Sequence, residues 1–250
     1  MGSMGTFQFN QDGGASSNAI DDILPKAYEE TWDAIGSNTA TADFHSFGAS
    51  LNKGSVSYKT PSFELPMGIT ASAAVDYDPN AGVEAATPGG VGSDAPSGEA
   101  FVVKLAHESG LTIGGGNMTV ENTDAADGVE ISTGYVSYSN GGLSIAYQEH
   151  YENASIVKKG TLDEGADIEA EGYALAYTTG DFTFSYSKTN ETEQAVSDQK
   201  ALEEEEFSAV QAAYNMGGMT VAVSMYDADN LDGVAAKKYE ETELSVSFAF

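Results

Sequence analysis

The chain lacks cysteine, arginine and any long hydrophobic run, and each absence excludes a class of protein. Without cysteine, the 250 residues form no disulfide, no thiolate metal site and no thiol nucleophile. Ten lysines against 39 acidic residues give a net charge of -29, so the chain has no basic face to displace counterions from nucleic acid. No stretch of about 18 uninterrupted apolar residues occurs, which excludes a membrane-spanning helix.

The first ten residues, MGSMGTFQFN, also lack the basic flank and apolar core of a signal peptide. We therefore expect either that a leader was removed or that the chain begins internally. Proline is scarce at six residues, whereas 28 glycines accompany 13 tyrosines and 11 phenylalanines. Strand-forming residues punctuated by turn formers are not typical of a disordered acidic chain, so the composition predicts a β fold.

Alternation with a period of two recurs in segments of about ten residues. In residues 242–250, Leu244, Val246 and Phe248 lie on one face and alternate with Glu243 and Ser245 on the other. The second face of several segments carries small side chains: serine, threonine, alanine and glycine. A soluble sandwich usually presents long charged side chains there, whereas a barrel with a wet lumen tolerates small polar ones. The pattern favours a membrane barrel.

The lengths of the connections support the same architecture. Long and short connections alternate along the chain, as they do between the external loops and periplasmic turns of outer-membrane barrels. The sequence predicts an all-β fold, a transmembrane antiparallel β-barrel formed as one domain by residues 1–250. An even number of strands would place both termini on the periplasmic side. The predicted strands are 4–10, 53–60, 66–77, 99–108, 110–120, 128–139, 142–151, 168–178, 181–189, 206–216, 218–226 and 238–250.

Three segments resemble the trimeric general porins of Gram-negative outer membranes, most closely the alphaproteobacterial type. The chain ends in SVSFAF, in which Phe250 and Phe248 match the aromatic C-terminal strand that these porins use as an assembly signal. MGTFQFN followed by SNAIDDILPKAYEETWDAIG looks like a porin strand that enters the inward-folded constriction loop. NKGSVSYKTPSF is similar to the strand that returns from that loop.

The resemblance implies more strands than the chain contains. A general porin has sixteen, and its constriction loop follows the fifth, so the twelve predicted strands match strands five to sixteen. We therefore expect that the sequence lacks the first four strands. A complete twelve-stranded barrel is the alternative. A barrel that lacked four strands would leave two unpaired edges in lipid, which is costly.

The resemblance identifies residues 11–52 as the constriction loop and places selectivity there. Acidic residues cluster within it, with helical spacing around apolar residues that we expect to pack on the barrel wall. Carboxylates that face a narrow aqueous lumen raise the local concentration of cations. A solvated loop face is the alternative interpretation of the same residues. The candidate acidic constriction residues are Asp21, Asp22, Glu29, Glu30 and Asp33.

Lysines are the expected counterparts of these acids in the lumen. Lys59 and Lys104 share strand faces with small polar residues, and Lys53 and Lys59 lie near the basic positions of the family's returning strand. Lys26 lies within the loop itself. Opposed charges of this kind would create a transverse field across the pore, as the resemblance implies.

Other candidate sites are weak. Asp227, Asp229 and Asp232 look like half of a calcium loop, but the closing glutamate is absent, so incidental surface charge is favoured. The three histidines show no metal-binding spacing. The pattern S-x-x-K occurs three times, and at Ser185 and Lys188 its two members lie on opposite faces of one strand. No enzyme and no cofactor are expected.

The sequence therefore predicts a passive diffusion channel for small hydrophilic solutes in the bacterial outer membrane, with a preference for cations. The resemblance implies a homotrimer that contacts outer-membrane lipid and lipopolysaccharide and that is inserted by the barrel assembly machinery through its C-terminal strand. A substrate-specific nutrient channel is one alternative, with aromatic residues lining its pore. A secreted or surface acidic β protein, structural or adhesive, is the other.

Overall fold

One antiparallel sheet of 13 strands dominates the computed structural model. The structure describes residues 4–10, 20, 23–31, 54–79, 97–120, 129–153, 167–194 and 202–249. The strands are β1 (Thr6–Phe9), β2 (Val56–Lys59), β3 (Phe63–Leu65), β4 (Ile69–Asp78), β5 (Gly98–His107), β6 (Leu111–Val120), β7 (Val129–Asn140), β8 (Leu143–Asn153), β9 (Asp167–Thr179), β10 (Phe182–Gln194), β11 (Glu205–Asn215), β12 (Met219–Asp229) and β13 (Tyr239–Phe248).

Neighbours in the sheet follow the order of the chain. From β4 to β13 each strand pairs with the next one, β2 lies between β1 and β4, and β3 pairs only with β4. β1 and β13 are the two edges, and no pairing joins them within the described residues. Sequential antiparallel pairing is the meander of an up-and-down barrel wall.

The predicted strands are confirmed in order, with one addition. Most agree closely in extent, but β1 and β2 have only four residues each, and β4 begins three residues later than predicted. β10 runs to Gln194, several residues beyond its predicted end, and β3 was not expected. β3 is three residues long and lies between Pro61 and Pro66, a stretch that the sequence assigned to a turn. Met67, which follows at φ 68°, folds the chain back so that Phe63 pairs with Ala71. A strand this short carries too little alternation to be recognised in sequence.

Two glycines form the two-residue turn between β7 and β8. Gly141 and Gly142 join β7 to β8 with φ values of 58° and 87°. A two-residue hairpin loop requires positive φ at both positions to match the twist of its strands, and glycine adopts that conformation without a steric cost. The short connections therefore hold neighbouring strands in register.

The two faces of the sheet reverse the usual distribution of side chains. We call the face with buried small and polar residues the inner face and the opposite face, which exposes large apolar residues, the outer face. Buried residues of the inner face include Ala74, Ala146, Gln148, Ser185, Ser187, Gln211, Ala222 and Ser224. Exposed residues of the outer face include Val75, Phe101, Ile145, Leu175, Phe184, Val210, Val223 and Val246. A sheet that is apolar outside and polar inside is arranged for lipid on its outer face.

Within the residues that the structure describes, helical structure contributes little to the fold. The 3-10 turns at Pro66–Gly68 and Leu231–Gly233 are three residues each. In the part of the chain that the structure describes, no helix has the length and apolar character needed to cross a membrane.

Candidate functional site

A non-strand segment packs on the inner face, and it belongs to the loop that the sequence singled out. We call Ile20 together with residues 23–31 the inner segment. Ile20 is 1% exposed and packs with Val102 of β5 and Tyr135 of β7. Leu24 fits against three alanines, Ala146, Ala170 and Ala174, on β8 and β9. The small residues of the inner face thus make room for the apolar residues of the segment.

The backbone of the inner segment is bonded to side chains of the sheet. The Ala27 N–H donates to Ser185 Oγ at 2.9 Å, and the Tyr28 N–H donates to Gln211 Oε1 at 3.0 Å. At its start, Gln148 Nε2 donates to the Ile20 carbonyl oxygen at 2.6 Å. Residues 23–31 form bends and a turn instead of the helix that their spacing predicted. Side chains of the sheet therefore satisfy backbone groups that a helix would satisfy internally.

Two of the five predicted acidic residues lie on this described segment. Glu29 and Glu30 are both half-buried, and Lys26 forms an ion pair with Glu30 one helical turn apart in sequence. The segment therefore combines a carboxylate pair with one lysine, which partly balances its charge. Asp21, Asp22 and Asp33 lie outside the described residues.

Two of the predicted lysines project from the inner face of the sheet. Lys59 on β2 pairs with the buried Ala74, and Lys104 on β5 pairs with Ser72. Residues directly opposite each other on antiparallel strands share a face, so both lysines lie on the same side of the sheet as the inner segment. Both side chains are exposed. Lys53 lies outside the described residues.

Further acidic residues of the inner face were not singled out from the sequence. Asp76, Asp78 and Glu191 are buried, at 3%, 0% and 6% exposure, and Ser57 donates a hydrogen bond to Asp76. Glu241 and Glu243 on β13 are half-buried. The signal that could have found them is strand parity, since Asp76 shares a face with Ala74, and Glu243 shares one with Ser245. Carboxylates thus occur on the sheet as well as on the inner segment.

Tyr28 joins the inner segment to β13. Its hydroxyl donates to Glu243 Oε1 at 2.8 Å. A hydrogen bond with Ser245 lowers the pKa of the Tyr28 phenol, whereas the bond to Glu243, desolvation and Glu29 raise it. The net effect raises the pKa of Tyr28 from 10.0 to about 12.

The raised pKa of Tyr28 predicts the pH range in which its hydrogen bond to Glu243 is lost. Because the folded value exceeds the ordinary one, the stabilisation is complete below pH 10 and disappears as pH rises through about 12. We expect Tyr28→Phe to lower the free energy of unfolding, and the difference from the parent protein to persist to pH 10 and to be lost as pH rises through about 12. Equilibrium unfolding by denaturant at a series of pH values checks this. A difference that already vanished near pH 8 would contradict the assignment.

The remaining sequence candidates that the structure describes lie apart from the inner segment. Asp227 is exposed on the outer face, and Asp229 forms an ion pair with Lys238 at 2.5 Å. Asp232 has no described side chain, and within the described residues no group of three His, Asp or Glu side chains is arranged to hold a metal. Phe248 ends β13 on the outer face at 59% exposure, and Phe250 lies outside the described residues.

The chain is similar to known proteins in sequence and in fold. A family model described as Gram-negative porin matches residues 1–250. No curated protein sequence matches the chain. Among solved structures, a porin refined at 1.8 Å resolution superposes with a TM-score of 0.63, and the match covers 100% of this chain and 79% of the porin. At 14% identity, that likeness establishes the fold.

Proposed function

The chain belongs to the Gram-negative porin family, and from this premise we propose that it is a passive diffusion channel for small hydrophilic solutes with a preference for cations. Porins are β-barrel channels of the bacterial outer membrane and catalyse no reaction. The observation that carries the proposal is the inner segment, which brings Glu29 and Glu30 to a face lined by small polar side chains.

The distribution of side chains supports a water-filled lumen. In hydrocarbon every backbone polar group must be bonded internally, which the antiparallel ladders accomplish along the sheet. Exposed residues such as Phe184 and Leu175 on the outer face then contact lipid, while Ser187 and Gln211 face inward. A loop that packs on the inner face narrows the passage and so limits the size of solutes.

The charges of the described inner residues favour cations. Carboxylates on the inner face and inner segment outnumber the lysines that accompany them, and a low-dielectric wall focuses their field into the lumen. We propose that Asp21, Asp22 and Asp33 extend the acidic constriction and that Lys26, Lys53, Lys59 and Lys104 supply its basic counterpart. The resulting transverse field would orient polar solutes as they pass.

Neutralising the inner segment tests the cation preference. In Glu29→Gln combined with Glu30→Gln, we expect the cation-to-anion permeability ratio to fall several-fold, measured as the reversal potential under a salt gradient in planar bilayers. The effect should shrink in concentrated salt, because the Debye length decreases from about 10 Å at 0.1 M to about 3 Å at 1 M.

The control for this experiment removes the same charge elsewhere. Asp227 on β12 and Glu240 on β13 are both exposed on the outer face, so Asp227→Asn combined with Glu240→Gln removes two negative charges without changing the inner segment. Its reversal potential should match that of the parent protein. Equal shifts in both variants would show that overall charge, and not the inner segment, sets selectivity.

The proposed channel also has proposed partners. Porins are generally trimeric, and we propose that this chain forms a homotrimer surrounded by outer-membrane lipid and lipopolysaccharide. Phe248 and Phe250 at the C-terminus are proposed to direct insertion by the barrel assembly machinery. Exposed aromatic residues such as Phe248 on the outer face support contact with lipid.

The geometry favours a diffusion channel over a substrate-specific one. A specific channel would line its lumen with accessible aromatic rings. Tyr28 and Tyr239 are half-buried, with their hydroxyls bonded to Glu243 and Glu241, and Tyr135 and Tyr226 on the inner face are only 6% and 3% exposed. Their rings are occupied by packing, Tyr135 against Ile20 and Tyr226 against Ala209. The described residues therefore support size and charge as the selecting properties.

A further inference from the structure

Two buried glutamines of the inner face hold the inner segment at different points. Gln148 on β8 is 0% exposed, and Gln211 on β11 is 2% exposed. Gln148 is bonded to the first residue of the segment, whereas Gln211 is bonded beside the acidic pair. A buried side-chain amide is costly unless it is hydrogen-bonded, so its partners indicate its role.

Gln211 bonds the segment with both ends of its amide. Its Oε1 accepts the Tyr28 N–H at 3.0 Å, while its Nε2 donates to the Glu29 carbonyl oxygen at 2.7 Å. These two backbone groups flank the peptide bond that leads into Glu29. Only an amide side chain offers an acceptor and a donor side by side, so neither glutamate nor an apolar residue reproduces the pair of bonds.

Ser185 holds the glutamine in this orientation. Ser185 on β10 is the direct cross-strand partner of Gln211, and its hydroxyl donates to Gln211 Oε1 at 3.2 Å. The same oxygen of Ser185 accepts the Ala27 N–H at 2.9 Å. One cross-strand pair thus binds the backbone of three consecutive residues, 27–29, immediately before Glu30.

We propose that Gln211, oriented by Ser185, is the positioning residue that sets where the Glu29 and Glu30 carboxylates lie in the lumen, and thereby sets conductance and ion selectivity. The inference rests on the proposed function, since it assigns a cause to the selectivity. Gln211 acts through the segment and contributes no charge of its own. Gln148 holds Ile20 and leaves the acidic pair unaffected.

The test compares the two glutamines. Gln211→Met keeps the length of the side chain and removes both bonds to residues 28 and 29, and Gln148→Met removes one bond at Ile20. In planar bilayers we expect Gln211→Met to lower the cation-to-anion permeability ratio several-fold and to raise current noise. Gln148→Met should retain the parent reversal potential. Folded Gln211→Met with the parent reversal potential and noise would overturn the proposal.

A reversible tether separates positioning from a general effect on folding. Thr31 Oγ1 lies 2.7 Å from Ser187 Oγ, and the chain has no cysteine, so Thr31→Cys with Ser187→Cys introduces a single candidate disulfide. In the Gln211→Met background, the oxidised tether should restore the parent reversal potential, and reduction should abolish the rescue. No rescue by a formed disulfide would overturn the positioning role. Should Gln211→Met not fold, Gln211→Asn, which retracts the same amide by one methylene, takes its place with the same expected direction.

The outcomes also separate this inference from the proposed function. If neutralising Glu29 and Glu30 leaves the reversal potential unchanged while Gln211→Met changes conductance, the cation proposal fails and Gln211 still positions the segment. If neutralisation shifts the potential but Gln211→Met changes neither the potential nor the noise, the acids select ions and the positioning role is wrong.

Discussion

Lysine in place of Leu175 is expected to destabilise the folded protein by roughly 2–4 kcal/mol, the cost of a basic residue that faces lipid near the middle of the bilayer. Leu175 lies on the outer face of β9 at 44% exposure, with Ile145 and Tyr186 opposite it on the neighbouring strands. On a surface that faced water, a lysine side chain with this exposure would cause little destabilisation. In lipid the ammonium group of the lysine loses its hydration. Neither directly opposite position carries an acidic residue that could pair with it.

A second position on the same strand, closer to the membrane surface, provides the control. Thr179 ends β9 on the same face, next to the turn at Gly180, where a lysine side chain reaches the interface. Thr179→Lys should cost about 0–1 kcal/mol. Equilibrium unfolding by denaturant in lipid vesicles measures both values. Equal costs at the two positions would contradict the assignment of the outer face to lipid.

Alanine in place of Gly116 is expected to destabilise the protein by about 1–3 kcal/mol, as overpacking of a tight core does. A Cβ atom at Gly116 would lie 2.5 Å from the Phe101 carbonyl oxygen and 2.9 Å from Ile20 Cδ1. The carbonyl belongs to the backbone of β5 and cannot turn away, so either the strands separate or Ile20 leaves the inner face. The second response moves the start of the inner segment, so conductance should change together with stability.

Gly134 on the adjacent strand is the matched glycine. No described atom lies within 4 Å of a Cβ atom built there, and its φ is not positive. Gly134→Ala should therefore leave stability within about 0.5 kcal/mol of the parent protein, in line with surface substitutions, and should leave conductance unchanged. Equal unfolding free energies for the two alanine variants would contradict the close packing of Ile20 on β6.

The strands could be predicted because their signal is local. Period-two alternation depends only on neighbouring residues, so the positions of β4 to β13 along the chain and the inward placement of Lys59 and Lys104 followed from parity. Parity also places Asp76 and Glu243 on the inner face, although only the acidic residues of the loop were predicted as site residues. β3 was not predicted because a strand of three residues between two prolines is too short to show a recognisable alternation.

The inner segment could be predicted only in part. Its acids and its apolar residues were recognised, but the spacing of Ile20, Ile23, Leu24 and Tyr28 predicted a helix, and residues 23–31 form bends. Helix spacing describes which side chains share a face, not where the backbone finds its hydrogen bonds. Here the partners of the backbone are Ser185 and Gln211, more than 150 residues away in sequence.

The sequence by itself determined the β class, the two chemically distinct faces and the porin resemblance, because alternation and composition are properties of short segments. Only the tertiary structure decided which glutamine holds which part of the loop, and that Lys26 pairs with Glu30. A serine or glutamine on a lumen face looks the same in sequence whether it faces water or binds a loop. The difference arises when antiparallel pairing brings β8, β10 and β11 beneath a segment from the other end of the chain.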